Sequence, residues 1–437
     1  MIAFGDSTRL GVRLMVSIIG VSLVACSTNP SAPVVSTPIP SSSSSGAPTR
    51  ATTIVPVVAT RAPITTTSAI TLTWWTTEDF SPSTTPNGRL IKNQLDAFTT
   101  ANPNLHISIV LKKPYGKGGL LDFLTTTSAI VPAQLPDLVT LDLAEAQTDA
   151  NAGLAQPLDG LLGLELYSDF YPFVNQASRV QTQWVSVPFA IDLDHLVYNK
   201  TTVKKVPGTW DEFSKQKGAL ALPLGDDDAF LIQYLALGAL NDSSNALTLD
   251  PNAAAQVLTF FKRSHDNTLI PDNAIGWKSA SDAWMPLAAN QVAMAQVSAS
   301  RYLAERAKYP NIGFAPVPTR DGKISTLASG WSLVIVTKDS ARQAASAKLI
   351  QWITQGDHLA PWLKATRYLP ATRSTIAQAI DPPEYATFVR DELERASFVP
   401  PASYAKASDA WRTAIQAVWK SQTSPEEAAR TMANALK

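Results

Sequence analysis

The chain has 437 residues, of which 36 are basic and 36 are acidic, so its formal net charge is +0. This balance provides no electrostatic footprint for nucleic acid or for an anionic membrane surface, and we expect no nucleic-acid partner. Hydrophobic residues make up 45% of the chain, which is the usual share for a globular protein.

The N-terminal segment has the order of a secretory signal peptide. Arg9 and Arg13 precede an apolar run at residues 14–24, and the single cysteine of the chain, Cys26, follows it. Basic, apolar and small residues in this order predict a signal peptide over residues 1–25. The apolar run is too short for a membrane-spanning helix, which needs about 20 residues.

A signal peptide that ends at a cysteine resembles the bacterial lipobox, in which the thiol is lipidated and begins the mature protein. The resemblance implies that Cys26 anchors the protein to the outer side of the cell membrane. The alternative is an ordinary buried cysteine. In either case a chain with one cysteine forms no internal disulfide.

Residues 26–68 form a predicted linker. Beyond Cys26 the segment consists almost entirely of Ser, Thr, Pro, Ala and Val, and its charged residues are Arg50 and Arg61. Such a composition buries too little apolar surface to offset the entropy of ordering. We therefore expect a disordered tether between the anchor and about 370 folded residues, a length that favours two domains.

The folded part opens with strands and helices in alternation. In chain order the pattern predicts a strand at 69–76, a helix at 88–103, a strand at 105–113, an intervening helix and a strand at 136–145. Later segments continue it with strands at 291–298 and 331–337 and helices at 340–355 and 425–436. This order predicts an α/β fold with mainly parallel sheets flanked by helices.

A series of motifs then follows in a fixed order. "WVSVPFAIDLDHLVYNK" (184–200) is followed by "PGTWDEF" (207–213), and the later pieces are "NQVAMAQVSASRY" (290–302), "IGFAPVPTRDG" (312–322), "ASGWSLVIV" (328–336) and "RYLPATRS" (367–374). In this order they resemble the extracellular solute-binding proteins of ABC importers, in particular the sugar and oligosaccharide group that includes maltose-binding protein.

This resemblance implies a two-lobed periplasmic-binding-protein fold of type II with the solute in a cleft between the lobes. It places lobe 1 at residues 69–191 and 318–397, lobe 2 at 192–317 and 398–437, and the crossovers near 188–192, 315–318 and 399–402. It also implies a monomeric binding protein without enzymatic activity, whose partners are a small solute, the transmembrane subunits of an ABC permease and, through Cys26, the membrane.

Candidate solute contacts follow from the chemistry of sugars, whose hydroxyls need hydrogen-bond partners and whose C–H faces stack on aromatic rings. Trp74, Trp75, Glu78 and Asp79 end the first strand, at the edge where open α/β sheets bind ligands. Neighbouring strand residues point to opposite faces, so we expect Trp75 to face the cleft; the alternative is that both rings are packed. Asp142 ends the third strand and would accept hydroxyls, or it caps the next helix.

The remaining candidates rest on the resemblance. Asp192 matches a recurrent cleft carboxylate, with Asp194 as its rival, and Trp331 matches a position that offers a ring or a backbone contact. Further candidates are Arg301, Tyr302, Trp284 and Arg367. Core packing is the competing explanation for each tryptophan.

Other chemistries lack their motifs. The histidines at 106, 195, 265 and 358 have no zinc-site spacing, and "GKGGL" at Gly116 lacks the end of a phosphate loop, so we expect no metal and no cofactor.

Two alternative functions stay open. One is the same fold with a polyamine, a polyol phosphate or an iron chelate as solute. The other is a lipid-anchored glycan hydrolase with Asp142 and Asp192 as its paired carboxylates.

Overall fold

The computed structural model describes residues 69–238, 250–399 and 401–435. The predicted signal peptide, Cys26 and the linker to residue 68 lie outside these residues, and so does residue 400 of the third predicted crossover.

Within the described residues the strands are β1 (Ile70–Thr76), β2 (Leu105–Leu111), β3 (Leu138–Asp142), β4 (Arg179–Val180), β5 (Gln183–Trp184), β6 (Val187–Asn199), β7 (Leu220–Ala221), β8 (Met294–Ser298), β9 (Ile312–Ala315), β10 (Ala328–Ile335) and β11 (Leu369–Pro370). The strands predicted over 69–76, 105–113, 136–145, 291–298 and 331–337 are confirmed, with ends shifted by a few residues.

The helices of the described residues are α1 (Pro86–Ala101), α2 (Leu120–Ile130), α3 (Leu143–Asn151), α4 (Leu164–Asp169), α5 (Pro172–Ala177), α6 (Trp210–Phe213), α7 (Asp228–Ala236), α8 (Pro251–Asp266), α9 (Ala280–Ala288), α10 (Ala299–Glu305), α11 (Ser340–Thr354), α12 (Gly356–Thr366), α13 (Ile376–Ala379), α14 (Pro383–Leu393), α15 (Pro401–Trp419) and α16 (Pro425–Ala435). Short 3-10 helices lie at Glu78–Phe80, Pro132–Gln134 and Asp272–Gly276. Among these described helices none combines the length and the apolar character needed to cross a bilayer.

Helix α1 illustrates why local sequence specifies these elements. The Thr85 side chain accepts a hydrogen bond from the Gly88 backbone N–H, and proline occupies the first helical position, where its missing N–H costs nothing. Ile91, Leu95 and Phe98 recur at helical spacing and are buried. The amphipathic face therefore packs on the sheet while the polar face stays in water.

The sheet has the strand order β2-β1-β3-β10-β6-β8-β7, and β9 and β11 also pair with β6. β1 runs parallel to β2 and β3, and β7 runs parallel to β8, whereas β6 and β10 are antiparallel to their neighbours. The predicted α/β fold is confirmed, with two parallel sets joined by antiparallel strands.

Strand β6 joins the two parts of this sheet. Its first part pairs with β10, where Val187 lies opposite Leu333 and Leu193 opposite Ala328. From Asp194 onward it pairs with β8 and β9 instead. The change of partner occurs between Leu193 and Asp194, close to the predicted lobe boundary after residue 191. The complete lobe assignment stays a prediction.

The core lies on both faces of the sheet. Alternating residues of β1 separate, so that Trp74 joins one buried cluster with Leu72, while Trp75 joins a different cluster with Leu120 and Val139. This opposition follows from the two-residue period of a strand.

Candidate solute-binding site

The register brings the carboxyl ends of two sets of strands to the middle of β6. β3 ends at Asp142, which lies opposite Trp331 on β10, and β10 in turn places Ser329 opposite Asp192. From the other side, β8 ends at Ser298, opposite Asp194. Loops after parallel strands thus converge on residues 192–194, the kind of edge at which α/β sheets bind ligands.

Tyr368 lies near this edge of the sheet. Its side chain is half-buried, and it immediately precedes β11, whose Leu369 pairs with Ile191. The indole N–H of Trp331 lies close enough to its hydroxyl to lower the pKa of that group. We name Tyr368, Trp331 and the acidic residues around them the Tyr368 cluster.

Three carboxylates act electrostatically on Tyr368. Burial raises the pKa of its hydroxyl, and the negative charges of Asp192, Asp79 and Asp142 raise it further, while the nearby indole N–H of Trp331 acts in the opposite direction. These carboxylates come from three separate segments and lie within electrostatic reach of one phenol. The Tyr368 cluster is therefore an acidic site with aromatic walls.

Trp331 is nearly as buried as the tryptophans of β1, with 7% of its surface exposed, and shares a core cluster with Trp74. Phe80 meets it edge-on at 5.3 Å between ring centroids, and the Tyr115 centroid lies 5.6 Å away with 33° between the ring planes. The preceding residue must be glycine, because a Cβ at Gly330 would lie 2.3 Å from the carbonyl oxygen of Ala190. Close strand packing thus fixes the backbone that carries the indole.

Asp142 and Asp192 each hold the start of a helix. The Asp142 carboxylate accepts from the backbone N–H of Ala144 at 2.9 Å and caps α3, so its alternative prediction as a helix cap is confirmed. Asp192 accepts from both the backbone N–H and the hydroxyl of Ser300, at 3.1 and 2.5 Å. Both carboxylates are half-buried and are held in place by backbone donors.

Asp79 has a distinct electrostatic environment. It keeps contact with solvent, yet the protein around it removes part of its hydration, which raises the pKa of its carboxyl group. The neighbouring carboxylate of Glu78, which is exposed, adds to this effect. The short segment that follows β1 therefore brings two acidic side chains, Glu78 and Asp79, to the rim of the Tyr368 cluster.

A comparison with known protein families bears on these residues. Residues 94–388, well over half of the chain, match the family described as bacterial extracellular solute-binding protein. The chain belongs to this family. The resemblance that the sequence motifs indicate is thereby confirmed.

Solved structures of sugar-binding proteins share the fold of this solute-binding protein. The cyclic alpha-maltosyl-1,6-maltose binding protein of Arthrobacter globiformis superposes with a TM-score of 0.69 at 19% identity, covering 84% of this chain and 98% of that one. MalE, the sugar-binding protein of Xanthomonas citri, gives a TM-score of 0.69 at 19% identity over 83% and 95%. The predicted two-lobed fold is thus confirmed.

One relative is similar to the solute-binding protein in sequence. The maltotriose-binding protein of Pyrococcus abyssi (strain GE5 / Orsay) is 31% identical over 87 residues. This segment spans 20% of the present chain and 19% of the relative, about a fifth of each.

Three predicted contact residues of the solute-binding protein belong to its core. Trp74 is 3% exposed, and its indole N–H donates to the Thr140 hydroxyl at 3.0 Å. Trp284 is equally buried, and Tyr302 packs between His195 and Tyr385. Core packing, the competing explanation, accounts for these rings, and we leave them out of the site.

Trp75 also differs from its expected position. Its ring is 6% exposed and meets Phe123 edge-on at 6.4 Å, with the Lys112 ammonium 4.9 Å from its centroid. Both tryptophans at the end of β1 are therefore packed, which was the alternative to a cleft-facing Trp75. The strand period separates the two rings, but helices cover both faces of the sheet.

The two arginine candidates have contacts elsewhere. Arg301 donates to the Ser281 hydroxyl and lies 3.6 Å from the Glu305 carboxylate. Arg367 is exposed, ends α12 in a left-handed conformation with φ of 70°, and donates to the carbonyl of Lys364. Sequence reasoning named Arg367 and missed its neighbour Tyr368, although "RYLP" contains both.

Sequence reasoning also missed Tyr115 and Phe80 as neighbours of Trp331. Phe80 follows Asp79 directly, and Tyr115 precedes "GKGG", which was considered only as a phosphate loop.

A cavity of about 340 Å³ lies apart from these residues, lined by Trp210, Phe260 and Arg263 among others. Within the described part of the chain, no three His, Cys, Asp or Glu side chains are placed to hold a metal ion.

Proposed function

We propose that this protein captures a sugar or oligosaccharide at the Tyr368 cluster and delivers it to the transmembrane subunits of an ABC permease. The supporting observation is that strand register brings Trp331, Asp142 and Asp192 to one sheet edge, within electrostatic reach of Tyr368 together with Asp79. The proposed contact residues are therefore Trp331, Asp142 and Asp192, together with Glu78 at the rim.

The composition of the Tyr368 cluster suits a polyol. A sugar presents many hydroxyl donors, and carboxylates are strong acceptors that each take several hydrogen bonds. The aliphatic faces of the same sugar pack against flat rings such as Trp331. Because Asp142 and Asp192 are already oriented by backbone N–H groups, little side-chain entropy is lost when they bind a hydroxyl.

The fold provides a route for closure around the solute. β6 passes from one part of the sheet to the other, and Asp192 on this strand is bonded to Ser300 at the start of α10. A solute that contacts both parts would favour the closed arrangement by its differential affinity. The closed form would then dock on the permease, whose ATPase subunits supply the energy.

The comparisons favour a sugar over the other solutes. Structures with the same fold are described as binding maltose-derived sugars, and the relative with 31% identity is a maltotriose-binding protein. Family membership also supports an extracytoplasmic location. Polyamines, polyol phosphates and iron chelates remain the competing solute classes for the test below.

We infer that the protein has no enzymatic activity. Members of its family bind solutes, and the two carboxylates that a hydrolase would use are engaged as acceptors of backbone N–H groups. A glycan hydrolase needs one of its pair to act as an acid and the other as a base or nucleophile. Asp142 and Asp192 instead serve structure and binding in this proposal.

The membrane attachment rests on the sequence. We propose that Cys26 carries the lipid anchor and that the Ser, Thr and Pro residues up to residue 68 act as the tether, both outside the described part of the chain. A tether of this composition would let the binding domain reach the permease while it remains attached.

Thermal unfolding of the protein against maltotriose, other oligosaccharides, polyols and polyamines tests the function. A ligand at about 100 times its Kd should add about 2.7 kcal/mol to the free energy of unfolding. We expect a malto-oligosaccharide to raise the midpoint and to be recovered unchanged. Stabilisation by a non-sugar alone would contradict the sugar assignment, and recovery of cleaved glycan would contradict the absence of catalysis.

A further inference from the structure

We propose that Tyr115 covers the solute-binding face of Trp331 and must leave it before a sugar can stack there. This inference rests on the proposed function. The two ring centroids are 5.6 Å apart and the planes are inclined by 33°. A sugar between two rings requires a carbon contact distance on each side, at least roughly 7 Å in total. The observed spacing therefore excludes a sugar from between them.

Trp331 is the fixed member of this pair. Phe80 packs edge-on against its ring at 5.3 Å between centroids, and its indole N–H lies beside Tyr368. The backbone beside it is closely packed, because a Cβ at Gly330 would lie only 2.3 Å from the carbonyl oxygen of Ala190. A solute that stacks on Trp331 must consequently displace Tyr115, the other ring beside it.

Tyr115 is the movable member. It lies in the connection between β2 and α2, flanked by Pro114 and Gly116, both exposed. Gly116 and Gly118 have φ of 73° and 79°, and a Cβ on Gly116 would meet nothing within 4 Å. Positive φ and open surroundings are typical of loops that change conformation at little cost.

The loop that carries Tyr115 is closed at its base. Leu120 donates its backbone N–H to the carbonyl of Lys113 at 3.0 Å, and Gly119 donates to Gly116 at 2.8 Å. The Gly118 N–H is bonded to the Asp122 carboxylate at 2.8 Å. The base therefore stays attached to α2 while the tyrosine at the tip can swing away, so entry needs no change in the strands.

This arrangement makes Tyr115 a competitor of the solute. By this proposal the contact between the rings is lost when a sugar binds, so removing the contact should increase affinity. We expect Tyr115→Ala to bind maltotriose about 2- to 12-fold more tightly, the range that corresponds to an aromatic pair contact. Tyr115→Phe keeps the ring and should therefore still cover Trp331.

The matched control is Tyr309→Ala. Tyr309 is also half-buried and also meets a tryptophan edge-on, Trp284, at 5.6 Å between centroids, but outside the Tyr368 cluster. Tyr309→Ala removes a tyrosine side chain from a similar contact with a tryptophan. Its affinity for maltotriose should equal that of the wild type, which separates a local effect from general loosening.

Fluorine NMR with 5-fluorotryptophan measures directly whether Tyr115 covers Trp331. The Trp331 resonance is assigned by its absence in Trp331→Phe, and its shift between H₂O and D₂O reports solvent exposure. Without ligand, Tyr115→Ala should increase this solvent shift for Trp331 while Tyr309→Ala leaves it unchanged. An unchanged Trp331 shift in Tyr115→Ala would overturn the inference.

Calorimetric titration with maltotriose completes the test. If Tyr115→Ala exposes Trp331 yet binds no more tightly than the wild type, competition by Tyr115 is overturned and the proposed function stands. If neither protein binds any sugar of the panel, the proposed function fails instead, and the solvent shift still decides whether Tyr115 covers Trp331.

Discussion

Trp331 and Tyr368 lie beside each other, close enough for the indole N–H to lower the pKa of the tyrosine hydroxyl. Trp331 lies on β10 and Tyr368 lies just before β11, and both strands pair with β6, so the register of one strand brings the two side chains together. Tyr368 thus flanks the ring that we propose as the sugar platform.

Replacing Tyr368 by Phe should weaken both stability and binding. The change removes the hydroxyl beside the Trp331 indole N–H, and the loss of such a polar contact costs about 0.5–1.5 kcal/mol of unfolding free energy. Urea unfolding and calorimetry with maltotriose measure the two effects. Tyr309→Phe, which removes a hydroxyl outside the Tyr368 cluster, is the control, and an equal loss in both variants would argue against a specific role for the Tyr368 hydroxyl.

The bond between Asp192 and Ser300 allows structural and binding roles to be separated. Ser300→Ala removes one hydrogen bond to the carboxylate and should cost about 0.5–1.5 kcal/mol of stability while sugar affinity stays near the wild-type value. Asp192→Ala removes the proposed acceptor as well and should lower affinity at least about tenfold, which corresponds to about 1.4 kcal/mol. Similar affinities of the two variants would show that Asp192 does not contact the solute.

Asp149 predicts a pH dependence of stability. The residue lies on α3, is fully buried, and has no hydrogen-bond partner for either carboxylate oxygen among the described residues. Burial raises its pKa from 3.8 to about 7. Since the raised pKa belongs to the folded state, the unfolded state loses its proton first, and stability falls as pH rises from about 4 to about 7.

Asp149→Asn should remove this dependence. Relative to the wild type, the variant should gain up to about 4 kcal/mol between about pH 4 and pH 8, measured by urea unfolding across that range. Asp357→Asn offers the control, because it makes the same chemical change at an exposed side chain. A constant difference in stability for Asp149→Asn across the pH range would mean that its carboxyl group does not titrate in this window.

Cys26→Ala tests the proposed anchor. Without a thiol to acylate, the protein should move from the membrane fraction to the soluble fraction of expressing cells, while its sugar affinity stays unchanged. Mass spectrometry of the wild-type N-terminus should show a lipid on the cysteine. Membrane association of the variant would contradict anchoring through Cys26, and Ser27→Ala serves as a neighbouring control.

The sequence by itself determined the family, the alternation of strands and helices, and the separation of Trp74 from Trp75. These features depend on short-range periodicity, on caps such as Thr85 and on motifs whose residues are close in the chain. Asp142 and Asp192 could be named as carboxylates at the carboxyl edge for the same reason, because each ends or follows a recognisable strand segment.

Only the tertiary structure decided which rings reach the edge. Trp75 ends a strand as expected, but helix α2 packs over it, whereas Trp331 meets Tyr115 and Tyr368 from distant parts of the chain. No local pattern encodes such contacts, because they depend on strand register and on which helix covers each face. The physical reason is that burial is a property of packed layers, while periodicity specifies only the direction in which a side chain leaves its own strand.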